Sequence, residues 1–206
     1  MERVFCVLIG YLFGSFLTAD IVAKVGAKTN AFEVGDGNPG MANIGHELGT
    51  KAAVACLAGD ILKTVAAVLA SHAIFPQLGS LATGWAGLGA TLGHVFPFWH
   101  HFKGGKGVTT MSSASILMNP LFGIISGIVG IVAIVISGYL SVAAVIQMIV
   151  FAIAMAFVGG REFFIISCIF VVLTLYCHRK SLAGIKNGTT RQASLSVKLR
   201  NHFKRS

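Results

Sequence analysis

The chain has 206 residues, 55% of them hydrophobic and only 11% charged, with a mean hydropathy of +0.80. Soluble domains carry about 25% charged residues, so the composition argues against a water-soluble fold and for a polytopic α-helical membrane protein of one domain. The formal net charge of +9 does not argue for nucleic acid, because the basic residues lie between apolar segments and in the tail, where membrane topology accounts for them.

Residues 4–25 form the first apolar segment. A signal peptide is the alternative, but Lys24 and Lys28 follow and further apolar segments come after, which favours a transmembrane helix running from outside to inside. Asp20, near its inner end, is expected to face the protein interior or water. Residues 26–51 hold Glu33-Val34-Gly35-Asp36-Gly37-Asn38-Pro39-Gly40-Met41-Ala42-Asn43, a composition of turns rather than helix. Polar, glycine-rich backbone at a membrane is tolerated where it lines a site or a water-filled cavity; a plain linker is the bland alternative.

The second span, residues 52–75, runs back outward and carries Asp60 and Lys63 three residues apart on one helical face. An intramembrane pair of this kind serves function or holds two helices in register, and the spacing leaves both readings open. The third span, residues 81–98, has Gly84, Gly87 and Gly89 for close helix packing. Residues 108–118 contain Thr109, Thr110, Ser112, Ser113 and Ser115. That segment is too short and too polar for a lipid-exposed span of ~20 residues, so it should pack inside the bundle as a fourth, polar pass. Residues 120–137, 142–158 and 163–177 complete seven spans, with Gly138-Tyr139-Leu140-Ser141 as a brief turn.

This all-α arrangement puts the amino terminus outside and the carboxyl terminus in the cytoplasm. Thirteen lysines and arginines then fall in inward loops and tail, against Arg3 and Arg161 outside, with Lys63 buried; that asymmetry fixes the orientation. It also gathers the polar motifs on the cytoplasmic face. Residues 193–206 read as a basic tail lying on anionic lipid or as a solvated tail, appended to a seven-span domain over 1–192. Cys6, Cys56, Cys168 and Cys177 lie in or beside apolar segments without a CxxC pair, which argues against zinc and a disulfide framework.

Between the third and fourth spans stands Gly93-His94-Val95-Phe96-Pro97-Phe98-Trp99-His100-His101-Phe102-Lys103-Gly104-Gly105-Lys106-Gly107. Glycines let a ligand approach the main chain, successive N–H groups form anion-binding concavities, and the following helix start adds a positive dipole end. An anion held at the membrane surface is one reading and a basic loop obeying the positive-inside rule is the other. It is not a Walker A loop, because Gly107 rather than Ser or Thr follows Lys106, and no strand precedes it as a dinucleotide fingerprint requires.

Taken in order, Gly14-Ser15, Gly35-x-Gly37-Asn38-x-Gly40-x-x-Asn43, Asp60-x-x-Lys63, Gly93-His94-x-Phe96-Pro97, Phe102-Lys103-Gly104-Gly105-Lys106-Gly107-Val108, Ser141, and His178-Arg179 with Gly188 resemble the bacterial acyl-phosphate:glycerol-3-phosphate acyltransferases of the PlsY type, over roughly residues 9–190. The resemblance implies seven spans in the plasma (inner) membrane, with the active site on the cytoplasmic face. It implies acyl transfer from acyl phosphate to the 1-hydroxyl of glycerol 3-phosphate, giving lysophosphatidic acid and phosphate, with no metal and no cofactor beyond the acyl-phosphate co-substrate. The alternatives are a paralog with another phosphorylated acceptor and a non-catalytic phosphate- or lipid-binding membrane protein.

By the same resemblance Lys106, Ser141 and His178 are the catalytic residues. Gly37, Asn38, Gly40, Asn43, Lys103, Gly104, Gly105 and Arg179 bind substrate phosphate, and Ser15, Asp60, Lys63 and His94 support them. Cations and N–H groups at such a site would stabilise charge in acyl transfer, and the acyl chain would lie among helices in the lipid. Six positions depart from the family pattern: Phe32, Ser181 and Gly184 replace Arg, Asn and Arg, while Asp36, Ala42 and Thr190 replace Ser, Thr and Glu.

Overall fold

The computed structural model describes residues 1–193; residues 194–206, which carry nearly all of the expected basic tail, lie outside the described residues. Every regular element among the described residues is helical. The α-helices are α1 (Glu2–Gly14), α2 (Thr18–Ala27), α3 (Met41–Leu48), α4 (Thr50–Ile74), α5 (Ser80–Val95), α6 (Val108–Met118), α7 (Pro120–Ser137), α8 (Leu140–Val158) and α9 (Gly160–Lys186). Among the described residues, five stretches are long and apolar enough to cross a membrane: Glu2–Ala27, Thr50–Ile74, Pro120–Ser137, Leu140–Val158 and Gly160–Lys186. At 25 residues α4 is about 37 Å long, enough for a hydrocarbon core of about 30 Å. The chain forms two compact units, residues 1–118 and residues from 119 onward.

In the first unit α1 packs most intimately on α5, and glycine is the reason. A Cβ on Gly10 or Gly14 would run into the main chain of Ala86 or Ala90, and one on Gly89 or Gly93 into that of Val7 or Tyr11. Small residues on both partners let two helix backbones approach closely in lipid. Of the glycines expected to do this, Gly89 faces α1 while Gly87 meets Ala114 of α6.

The first span is not one continuous helix. It breaks at Ser15-Phe16-Leu17, between α1 and α2. A broken helix frees carbonyls that must find donors at membrane depth. Trp99 Nε1–H donates to Ser15 O at 2.9 Å and Lys63 Nζ to Phe16 O at 2.9 Å. The following loop, read from its glycines as turns, contains a short 3-10 turn at Ala31–Glu33 and the helix α3. Met41, Ile44 and Leu48 give α3 one apolar face, and Ile44 is fully buried with Ala23, Ala31, Val34 and Cys56.

In the second unit α7 begins with Pro120 after an Asn119 side chain that accepts the Phe122 N–H at 3.2 Å, the preferred chemistry for a helix start. It ends at Gly138 in the left-handed conformation. Leu140 and Ser141 belong to the first turn of α8 rather than to the connecting turn. Helix α9 runs on past Cys177 to Lys186, so His178 and Arg179 are helical. Gly188 at φ +67° stops it, and Ala193 N–H returns to Gly138 O at 2.8 Å.

Candidate functional site

The glycine-rich loop of the first unit is held by one side chain. The Asn43 amide donates to Val34 O at 2.6 Å and Asn38 O at 3.1 Å, and its Oδ1 accepts the Asp36 N–H at 3.1 Å. Gly35, at φ +56°, lies against Asn43 Oδ1, where no Cβ fits. The N–H groups of Gly37, Asn38 and Gly40 bond to Val34 O at 2.9 Å, Asp36 Oδ1 at 3.0 Å and Asn38 O at 2.8 Å. These residues therefore shape the loop, and their main-chain donors are engaged within it. The Asp36 carboxylate is turned back onto the Asn38 N–H as in an Asx turn. Asn43→Ala removes three largely buried hydrogen bonds, each worth about 1 kcal/mol. It should lower the unfolding temperature in detergent clearly more than Asn38→Ala does.

This loop meets the lysine–glycine stretch. The ring of Phe32 lies 5.3 Å from that of His100, tilted by 45°. Asp20 is 5% exposed and ties the same corner. It pairs with Lys24 at 2.8 Å, accepts the Ala31 N–H at 3.3 Å and stands 3.9 Å from His100 Nε2. The segments that lead into these two motifs thus meet within residues 1–118.

The stretch itself turns sharply. α5 stops at Val95, before Pro97, because a residue preceding proline disfavours helix. A 3-10 turn follows at Phe98–His100, and His101 and Phe102 take φ +52° and +58°, an arrangement rare for side chains of their size. The chain then passes back beneath the end of α5: Gly105 N–H donates to His94 O at 3.1 Å, and a Cβ on Gly104 would meet His94 O, Pro97 Cδ and Val95 O. Gly107, at φ +73°, leads into α6. The Lys103 side chain is exposed and Lys106 is half-buried.

Behind the loop lies the pair on α4. Lys63 Nζ is 2.8 Å from Asp60 Oδ1, and both are nearly buried, at 8% and 3% exposure. Its remaining protons go to Phe16 O at 2.9 Å and His94 Nδ1 at 2.8 Å. The pair is therefore wired to the break in the first span and to the end of α5 at once. Ser15, expected as a supporting residue, is fully buried, and its hydroxyl donates to Tyr11 O at 2.6 Å.

In the second unit Ser141 is 4% exposed, and its hydroxyl has no hydrogen-bond partner among the described residues. His178 is buried and donates from Nδ1 to Thr174 O at 3.0 Å, so the neutral ring carries its proton on Nδ1 and presents Nε2 as an acceptor. Arg179 is exposed, folds over the Tyr176 ring at 4.0 Å and donates to Tyr176 O at 2.6 Å. Ser181, Gly184 and Thr190 are in mutual contact. Thr190 Oγ1 donates to Ser181 O at 2.6 Å, and a Cβ on Gly184 would lie 2.5 Å from that same Oγ1. They form one local set, a long side chain at 184 being excluded by the folded-back threonine.

Sequence reasoning overlooked Tyr11 and Trp99. Tyr11 Oη donates to Phe96 O at 2.7 Å, and Trp99 ties the same segment to Ser15. The available signal was an amphipathic aromatic within an apolar span, whose polar tip needs a partner.

A family model described as glycerol-3-phosphate acyltransferase matches residues 4–188. Glycerol-3-phosphate acyltransferase 1 of Lactobacillus acidophilus is 38% identical over 153 residues, 74% of each chain. The Lactobacillus johnsonii protein of the same description is 32% identical over 97% of each chain. Crystal structures of PlsY, an integral membrane glycerol 3-phosphate acyltransferase, superpose with a TM-score of 0.83 for its glycerol 3-phosphate form and 0.82 for its lysophosphatidic acid form. Both are 26% identical to this chain, covering 93% of it and 96% of PlsY in the first case, and 97% and 100% in the second. With matches of that length in sequence and in fold, this multi-pass membrane chain belongs to the glycerol-3-phosphate acyltransferase family.

Proposed function

We propose that this protein is a membrane acyltransferase of phospholipid synthesis, moving a fatty acyl group from acyl phosphate to the 1-hydroxyl of glycerol 3-phosphate. The hydroxyl oxygen bonds to the acyl carbon, the bond from that carbon to the phosphate oxygen breaks, and the hydroxyl proton ends on the released phosphate. The products are lysophosphatidic acid and inorganic phosphate. Acyl phosphate is a mixed anhydride and already activated, so the reaction is written without metal or cofactor. The protein's task is to hold two phosphates together and stabilise the charge that develops on oxygen.

The observation that supports this reading is that Phe32 and Asp20, which precede the Asn43-stapled loop, lie against His100, which precedes the Lys103–Gly107 stretch. Lys103 and Lys106 supply charge, and Gly104, Gly105 and Gly107 supply approach. Ser141 orients a phosphate or the attacking hydroxyl, and His178 and Arg179 contact substrate. The retained lysines favour glycerol 3-phosphate over an uncharged acceptor. In the membrane, α5 and α6, at 16 and 11 residues, join the five long stretches as short passes of a seven-pass path. Its amino terminus is outside and its carboxyl terminus cytoplasmic, on the strength of the lysine and arginine asymmetry.

The test is phosphate release from palmitoyl phosphate by purified protein, with and without glycerol 3-phosphate, beside Lys106→Ala. Release that depends on acceptor and falls by ~100-fold or more in the variant supports the reading. Release indifferent to acceptor points to another alcohol, and no release from folded protein overturns it.

A further inference from the structure

We infer that the His94 imidazole is a hydrogen-bond donor to a phosphate held at the Lys103–Gly107 loop, with Lys63 and Asp60 as positioning residues that decide which ring nitrogen carries the proton. A lysine ammonium has three N–H donors and no acceptor. Lys63 Nζ donates to Phe16 O at 2.9 Å, lies 2.8 Å from His94 Nδ1, and forms an ion pair with Asp60 Oδ1 at 2.8 Å. Nδ1 must therefore accept, and the ring proton sits on Nε2. Asp60 Oδ1 stands 3.6 Å from Nδ1, too far to compete as a hydrogen-bond partner.

Nε2 points at the loop. It is the nearest atom to the place a Gly105 Cβ would take, with Cε1 and Cδ2 at 3.0 and 3.1 Å. His94 is 3% exposed, and its hydrogen bond to Lys63 runs through Nδ1. The Nε2–H is then the donor that the ring turns towards the loop.

The charge of that ligand follows from its surroundings. Lys103 and Lys106 flank Gly105, and the 11-residue helix α6 starts directly after Gly107. Both favour an anion. Thr110 Oγ1, close by, donates to Gly107 O at 2.9 Å, so its proton is engaged. The chemistry that fits is a phosphate oxygen, of glycerol 3-phosphate or of acyl phosphate; that pair of sources rests on the function proposed above.

The test uses two variants that divide the ring's two roles. His94→Asn keeps an acceptor near Nδ1 for Lys63 and removes the donor at the loop. His94→Gln keeps a donor near Nε2 and gives up the Nδ1 contact. Inorganic phosphate is titrated calorimetrically into the full chain in detergent, with folding checked by thermal unfolding. The donor role predicts binding weakened about tenfold or more by His94→Asn and kept within about threefold by His94→Gln. A merely structural role through Lys63 predicts the reverse order. Equal weakening, no weakening, or no phosphate binding by the unaltered protein overturns the inference. In the transfer assay the KM that rises in His94→Asn, for glycerol 3-phosphate or for acyl phosphate, identifies the source, and two unmoved values overturn the donor role. Should the unaltered protein bind phosphate but transfer no acyl group, the proposed function fails while the titration still decides the role of His94.

Discussion

Replacing Lys63 with methionine is expected to destabilise the protein by about 3 kcal/mol or more, because it leaves the Asp60 carboxylate buried without its cation. The loss goes beyond one ion pair. Phe16 O and His94 Nδ1 would lose their donor together, so the break in the first span and the end of α5 would both be left with an unmet acceptor. Each such group costs about 1–3 kcal/mol. The double variant Asp60→Leu/Lys63→Met should recover part of the loss but not all. It removes the orphaned charge yet does nothing for Phe16 O. Thermal unfolding of the single and double variants in the same detergent measures this order. Unfolding temperatures equal to that of the unaltered protein in both would show that the pair carries no structural weight.

Gly104→Ala is expected to cost about a hundredfold or more in acyl transfer. Its Cβ would strike His94 O and crowd Pro97 Cδ and Val95 O, all fixed by the end of α5, so the loop must move. A displacement of about 1 Å at a site built on positioning is worth about that much. Gly26→Ala is the matched control, since a Cβ there meets nothing within 4 Å. Comparing kcat/KM and unfolding temperature for the two separates loop placement from the general effect of adding a methyl group. A fully active Gly104→Ala enzyme would place the chemistry elsewhere.

The candidate site was partly legible before the fold was known. Residue types announced the Asp60–Lys63 pair, since two opposite charges one turn apart in lipid have each other as nearest partner. Their further partners were not announced. Phe16 O is available because α1 stops before it, and its donor Lys63 comes from a helix far away in sequence. The expected phosphate cradle shows a second kind of limit. Composition marks Gly37, Asn38 and Gly40 as loop formers, but the Asn43 staple and the turns beside it decide where their N–H groups point. Ser181, Gly184 and Thr190 are spread over ten residues of sequence. Their mutual contact at the end of α9 makes them one local change.

What residue order alone determined was the class of molecule and its family. Length and hydropathy of the apolar runs demand helices in lipid, because backbone polar groups there must bond within their own segment, and the spaced motifs carried the resemblance that the matched relatives bear out. Three things were left to the tertiary structure. These were the break in the first span, the helix hidden in the glycine-rich loop, and the contacts of Lys63 with Phe16 O and His94 Nδ1. Each depends on which donor lies within about 3 Å of a given acceptor. That distance is set by how closely helices pack and where they stop, and neither helical periodicity nor composition encodes it.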